Sequence, residues 1–251
     1  VGASEQGVLK LEAGDTMNAL DFLARFKATE GKVELGKNVV VIGGGNTAMD
    51  TARAAKRNAG VEKVSLVYRR TRRYMPADEE ELVMAIEDGV EFAELLSPVR
   101  QENGVLICKK MVLGDIDASG RRGVVETDEI VEVPADTVIA AVGEKVPSGF
   151  YEANGIALDS RKRPQVNQDT LETSLKGVYA VGDGLFGPAT VVEGIRDGKK
   201  AAEAIIGRDL SEDIFKMSDE EVITYRKGNL AEEDESRTDS GRCLSCNSYC
   251  E

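Results

Sequence analysis

Apolar residues follow two periods along the chain. "NVVVI" at 38–42 and "KVSLVY" at 63–68 are short β-branched runs and predict buried strands, the first ending abruptly in glycine. Between them, "NTAMDTARAAKRNAG" predicts a helix closed by Gly60. Residues 16–28, "TMNALDFLARFKA", predict a helix with Asp15 as N-cap and Met17, Leu20, Leu23 and Phe26 on one side. "ADEEELVMAIEDG" predicts another, its acids at the dipole-favourable end and Gly89 at its stop. From "VEFAELLSPV" to "DTVIAAVG" the pattern is strand-rich, with Asn103-Gly104 marking a tight hairpin turn. After Gly143 it changes. "GVYAVGDGLFGPATVVEGIRDGKKAAEAIIG" predicts a strand, a glycine loop, and a helix with Val191, Ile195, Ala202 and Ile205 turned inward. From about residue 211 the chain is acidic and without a core-forming period, which predicts a tail or linker. No solenoid repeat is present.

A strand, glycine turn, helix and strand within about thirty residues open a doubly wound α/β nucleotide fold. The 251 residues can hold one large domain or two modest ones. A net charge of −13 argues against nucleic-acid or anionic-membrane partners. No apolar run reaches membrane-spanning length, and the start "VGASEQGV" lacks both an initiating Met and a signal-peptide layout, which suggests a fragment or a processed chain. The absence of histidine removes Ser-His and Cys-His catalysis. Cys108 stands alone and the other three cysteines crowd the last nine residues. That is no secreted disulfide framework and predicts a cytoplasmic protein.

Gly43-Gly44-Gly45-Asn46-Thr47-Ala48 fits the dinucleotide pattern G-x-G-x-x-G/A in its strand-to-helix setting. Gly43 suits the tight turn, Gly45 the approach of a pyrophosphate, and Ala48 close packing of helix on sheet. In an NAD site the second strand ends in an acid that takes the ribose hydroxyls. Here it runs into Arg69-Arg70, with Arg72 and Arg73 close behind. Guanidinium forks at that place suit a 2′-phosphate, so the expected nucleotide is NADP(H). Gly182-Asp183-Gly184-Leu185-Phe186-Gly187 matches the same letters, but Asp183 would bring a carboxylate toward two phosphates and no second strand follows. It suits a ribityl-binding carboxylate followed by a helix whose N-terminus stabilises a reduced flavin ring.

The stretches "ALDFL", "GKNVVVIGGGNTAMDTAR", "VYRRTRRYMPADEEEL", "EDGVEF", "ADTVIAAVGEKVP" and "GVYAVGDGLFGPATVVEGIRDGKKAAEAI" together resemble the flavin-dependent pyridine nucleotide oxidoreductases of the glutamate synthase small-subunit type. The resemblance implies a Rossmann-like NADPH domain, about 36–142, inserted into an FAD domain made of 1–35 and 143–207. It implies Arg69, Arg70 and Arg73 at the 2′-phosphate, and Ala141, Val142 and Gly143 near the nicotinamide. Gly182, Asp183, Ala189, Thr190 and Val191 would then lie at the flavin. The family's first FAD motif does not occur here, so the FAD site is expected to be half present and the fragment inactive alone.

"RCLSCNSYCE" places Cys243, Cys246 and Cys250 at C-x2-C-x3-C. It resembles the start of the cysteine cluster in selenate reductase iron–sulfur subunits, whose flavin module is of this type. A fourth thiolate is needed for an ordinary four-cysteine site. The resemblance implies NADPH oxidation through FAD, with electrons leaving by iron–sulfur centres to a partner subunit or domain. No catalytic side chain is expected, because hydride transfer needs alignment rather than an acid or base. Two other readings compete: an NADP(H)-binding sensor, which has no need of a flavin half-site, and a flavin-free dehydrogenase, for which no proton donor is marked.

Overall fold

The computed structural model describes residues 2–3, 5–116 and 122–209. The first elements are β1 (Glu5–Gln6), β2 (Met17–Asn18), α1 (Ala19–Ala28), β3 (Asn38–Ile42), α2 (Asn46–Arg57), β4 (Lys63–Tyr68), α3 (Glu79–Glu87) and β5 (Glu91–Glu94). Then come β6 (Leu96–Glu102), β7 (Val105–Ile116), β8 (Arg122–Pro134), β9 (Thr137–Ala140), β10 (Glu144–Lys145), α4 (Ser148–Ala153), α5 (Asp183–Phe186) and α6 (Val191–Ile206).

Five parallel strands form the central sheet in the order β2-β9-β3-β4-β5. The pleat divides their side chains between two cores. Val39 and Val41 face α1, α2 and α3, where Phe22, Met49, Ala52 and Leu82 are buried. Val40 and Ile42 face the opposite way, onto the antiparallel sheet β6-β7-β8 through Leu96, Leu106, Cys108 and Val133. Both faces of the sheet are thus covered at its inner strands, which is why β3 and β4 read as largely unbroken apolar runs. The turn between β6 and β7 is Asn103-Gly104, both with positive φ (53° and 74°), as a twisted two-residue hairpin requires.

Asp136 joins the two ends of this unit. Its carboxylate accepts from the N–H groups of Lys37 (2.8 Å) and Asn38 (2.7 Å), while Thr137 Oγ1 donates to Leu35 O (2.6 Å). α2 and α3 are tied by Asp88, which accepts from Arg53 (2.7 Å) and Arg57 (2.9 Å).

Three expectations are corrected. The first helix starts at Ala19, capped by Asn18 and not Asp15, because Met17 and Asn18 pair with Ile139 and Ala140 as an edge strand. Asn18 Oδ1 accepts from Leu20 N (2.8 Å). The shift puts Ala19 and Phe22 in the core and leaves Leu20 exposed. The expected strand directly before Gly182, in "GVYAV", does not form; Tyr179 makes only an isolated bridge to Glu172. In α6 the expected inward residues Val191, Ile195 and Ile205 are 79%, 68% and 63% exposed, and Ala202 is half-buried. The helix instead buries Asp197 and Ala201. On that buried side Asp197 Oδ2 accepts from Gly182 N (3.3 Å).

Candidate functional site

The chain runs from β3 to β4 and β5 on one side, then returns to β9 on the other. The carboxyl ends of β3 and β9 therefore mark a topological switch point, where open α/β sheets bind ligands. Gly43 and Ala141 meet there: a Cβ on Gly43 would collide with the Ala141 carbonyl oxygen, and Ala141 N donates to Ile42 O (2.8 Å). Val142 and Gly143 continue along the rim, both exposed, with Gly143 O accepting from Gly7 N (2.7 Å).

The three glycines have three different surroundings. Gly43 is fixed by Ala141. Gly44 packs on the Tyr68 ring, which any Cβ there would strike. Gly45 has open space on its Cβ side and caps α2 without a side chain. The N–H groups of Gly45, Asn46 and Thr47 consequently have no protein partner among the described residues. Free N–H groups at a helix N-terminus form a ready anion site, and they fit a dinucleotide pyrophosphate. Ala48 is fully buried beneath the turn, where its small side chain lets α2 lie close to the sheet.

The arginine segment is hydrogen-bonded to this turn. Ala77 N donates to Gly44 O (3.0 Å), and Tyr68 Oη donates to Tyr74 O (2.9 Å). Asn46 Nδ2 donates to Asp78 Oδ2 (3.1 Å), while Asp78 N donates to Asn46 Oδ1 (3.0 Å). The four arginines then differ. Arg72 is occupied: its N–H donates to Glu94 (2.8 Å) and its guanidinium to Glu79 (3.0 Å). Arg70 Nε donates to Arg122 O (3.1 Å), which leaves part of its fork free. Arg69 and Arg73 are exposed and have neither hydrogen bond nor ion pair among the described residues. An open cleft of about 490 Å³ on this segment is bordered by Arg72, Arg73, Asp78 and Glu79 and contains none of the glycine turn.

The second glycine motif differs in kind. Residues 183–186 coil into the one-turn α5, burying Gly184 and Leu185, so no open backbone cradle forms. Tyr151 Oη donates to Gly184 O (2.9 Å) and pins it. Asp183 is exposed and accepts from Ala189 N (3.1 Å). Thr190 caps α6 in a capping box: Glu193 N donates to its hydroxyl (3.3 Å), and Glu193 accepts from Thr190 N (2.9 Å). The Thr190 N–H holds the Glu193 carboxyl below its ordinary range. Val191 is exposed at the first turn, and its N–H has no partner among the described residues. A carboxylate and a helix N-terminus thus stand together, a donor set that fits a flavin's ribityl hydroxyls and ring.

Residues 6–198 match the family described as "Pyridine nucleotide-disulphide oxidoreductase". The chain belongs to this family. Within it, 99% of the chain aligns at 38% identity with 26% of "Putative oxidoreductase YgfK" of Escherichia coli K12. The NADPH-Fe(3+) oxidoreductase subunit beta of Geobacter sulfurreducens is 38% identical over 75% of this chain and 32% of its own. The glutamate synthase [NADPH] small chain of Azospirillum brasilense is 37% identical over 76% of this chain and 43% of its own. The chain spans about a quarter to less than half of these relatives, and among family members it is glutamate synthase small-subunit-like. The structure of Mycobacterium tuberculosis FprA in complex with NADPH aligns with a TM-score of 0.61, 19% identity, and coverage of 92% of this chain and 64% of that one. T. acidophilum thioredoxin reductase aligns at 0.53, with 20% identity over 81% of this chain and 63% of that one. Both likenesses show the two-dinucleotide-domain flavoprotein fold.

The family's name notwithstanding, the described residues hold no dithiol. Cys108 is fully buried, and burial pushes its thiol up to about 12, which removes it from thiolate chemistry. Cys243, Cys246 and Cys250 lie outside the described residues. Among the described residues no group of His, Cys, Asp or Glu could hold a metal, and no helix is long and apolar enough to cross a membrane. Sequence reasoning missed Tyr68, Asp78 and Glu94. Tyr68 could have been found as the aromatic that ends the second strand; nothing local marks the other two.

Proposed function

We propose that this chain is an NADPH-binding electron-transfer module of a larger flavoprotein oxidoreductase. The observation that carries the reading is the pair of guanidinium groups, Arg69 and Arg73, without partners among the described residues, on a segment hydrogen-bonded to a glycine turn whose helix N–H groups are likewise free among those residues. Arg70, with part of its fork available, completes the phosphate contacts. Within the turn from Gly43 to Ala48, shaped by Gly43, Gly44 and the buried Ala48, the N–H groups of Gly45, Asn46 and Thr47 would hold the pyrophosphate, and Ala141, Val142 and Gly143 would form the rim against which the nicotinamide is aligned. Residues 36–142 form the NADPH domain, and 1–35 with 143–207 contribute to an FAD domain. FAD held there would supply a two-electron acceptor for the nicotinamide hydride. Asp183 would hold the ribityl chain by accepting from its hydroxyls, and the α6 N-terminus at Thr190 and Val191 would favour negative charge on the ring. No side chain here needs to move a proton. Electrons leave to a partner subunit or domain, with Cys243, Cys246 and Cys250 contributing to an iron–sulfur cluster completed by a further thiolate.

Titrating NADPH and NADH into the wild-type chain and an Arg69→Ala variant tests the reading. The wild type prefers NADPH, and the variant loses about 1.5–3 kcal/mol of NADPH affinity, one to two decades, with little change for NADH. Equal affinities in the wild type would sink it.

A further inference from the structure

We propose that Asp78 is a positioning residue for nucleotide selectivity, acting through Asn46 to hold the arginine segment in register with the phosphate-binding turn. The inference rests on the reading of Arg69 and Arg73 as 2′-phosphate contacts, and names what keeps them in place.

Asp78 occupies the N-cap of α3, yet its side chain makes no capping hydrogen bond. An Asp at that position ordinarily turns back onto the N–H groups of its own helix. Here the carboxylate is directed 32 positions back along the chain, to Asn46 Nδ2, and the backbone N–H beside it completes the reciprocal pair with Asn46 Oδ1. The helix forgoes its own cap to make a contact with the first residue of α2.

That contact closes a short circuit of bonds. Ala77 N to Gly44 O and Tyr68 Oη to Tyr74 O tie the same segment to the glycine turn and to β4. On the other side Arg72 is anchored to Glu94 and Glu79, and Arg70 O accepts from Leu95 N (3.2 Å). The segment is therefore fastened at both flanks, while Arg69 and Arg73 have no hydrogen-bond or ion-pair partner for their guanidinium groups among the described residues. A dinucleotide spans the turn and the arginines at once. Its pyrophosphate and 2′-phosphate are joined through a single ribose, which bounds their separation, so a rigid link between their two receptors concentrates binding into one geometry.

The charge on Asp78 makes the inference sharp, because a bystander and a latch predict opposite signs. A carboxylate that merely stands near a phosphate site repels the ligand, and its removal tightens NADPH. A carboxylate that positions the arginines loosens NADPH when removed. Isothermal titration of the whole chain with NADPH and with NADH decides between them. Asp78→Ala is expected to weaken NADPH about tenfold and NADH by less than about twofold. Asp78→Asn, which can still accept from Asn46 Nδ2, retains wild-type selectivity. Asn46→Ala leaves the α3 cap residue in place and must reproduce the pattern of Asp78→Ala, so instability of one variant does not protect the idea. Unchanged or tighter NADPH binding in Asp78→Ala, or equal losses for both nucleotides, overturns the inference while leaving the arginine reading intact. A wild type that does not discriminate overturns both.

Discussion

The parallel-sheet unit and the segment that follows it are built to different standards. Between Asn38 and Ala140 the inner strands β3, β4 and β9 of the parallel sheet are covered on both faces, and Met49, Leu66 and Ile139, with Phe22 of α1, are entirely enclosed. Between residues 146 and 209 the core is Leu171, Ala180 and Leu185, joined by isolated bridges rather than a sheet. α6 leaves Val191, Val192, Ile195, Ile205 and Ile206 exposed, and Phe186 and Val181 nearby are also exposed. The first region is held by apolar enclosure. The second is held by single polar contacts at chosen points: Asp197 on Gly182, Tyr151 on Gly184, Asp183 on Ala189. A nucleotide-binding turn needs a rigid floor, and the first region supplies one.

The contrast breaks most easily at its strongest point. Leu66→Ala, beneath the glycine turn, is expected to cost about 2–5 kcal/mol in the denaturant-induced unfolding of the sheet unit, read by far-UV circular dichroism. A loss below about 1 kcal/mol would mean that the enclosure is not what holds the unit. Acid supplies a gentler probe. The Asp88 carboxyl is held below its ordinary value of 3.8, first by its hydrogen bond from Arg53 and then, against burial, by the charges of Arg57 and Arg53. Its folded value lies under its unfolded one. The stability it contributes is complete above the unfolded value and is lost as pH falls through the folded value. Asp88→Asn should therefore flatten the decline of stability below about pH 4; an unchanged acid limb refutes this role. The smallest effect belongs to α6. Ile195→Ser, on its exposed face, should change stability by no more than about 0.5 kcal/mol. A larger loss would show that the face is covered in solution.

The pieces that repeat a local period were legible from the chain itself. β3, the glycine turn, α2 and β4 are there because a β-branched run, three glycines and an alanine-rich helix each dictate their conformation locally, and the Asn103-Gly104 turn likewise. What escaped is what depends on distant partners. Asn18 displaced Asp15 as a cap only because Met17 and Asn18 pair with residues 139 and 140. The apolar stripe of α6 announced an amphipathic helix correctly, but a stripe does not say which side is turned inward, and the buried Asp197 reversed it. At the candidate site, the arginines were visible as a run. Which of them are committed to Glu94, Glu79 and Arg122, and which have no partner among the described residues, depends on residues 7 to 52 positions away and on folding itself.

Asp136 reaches back 99 positions to the N–H of Lys37, so the sheet unit begins and ends at neighbouring points in space. A stretch of chain with adjoining ends behaves like a cassette. It can be spliced into a host backbone, or exchanged for another reader of a different nucleotide, without the host having to stretch or bend to receive it. The joint that makes such exchange cheap is also a slow one for the folding chain to find, since closing so long a loop is among the more entropically demanding contacts of the unit. Ease of transplantation and slowness of assembly would then have a common origin in one carboxylate.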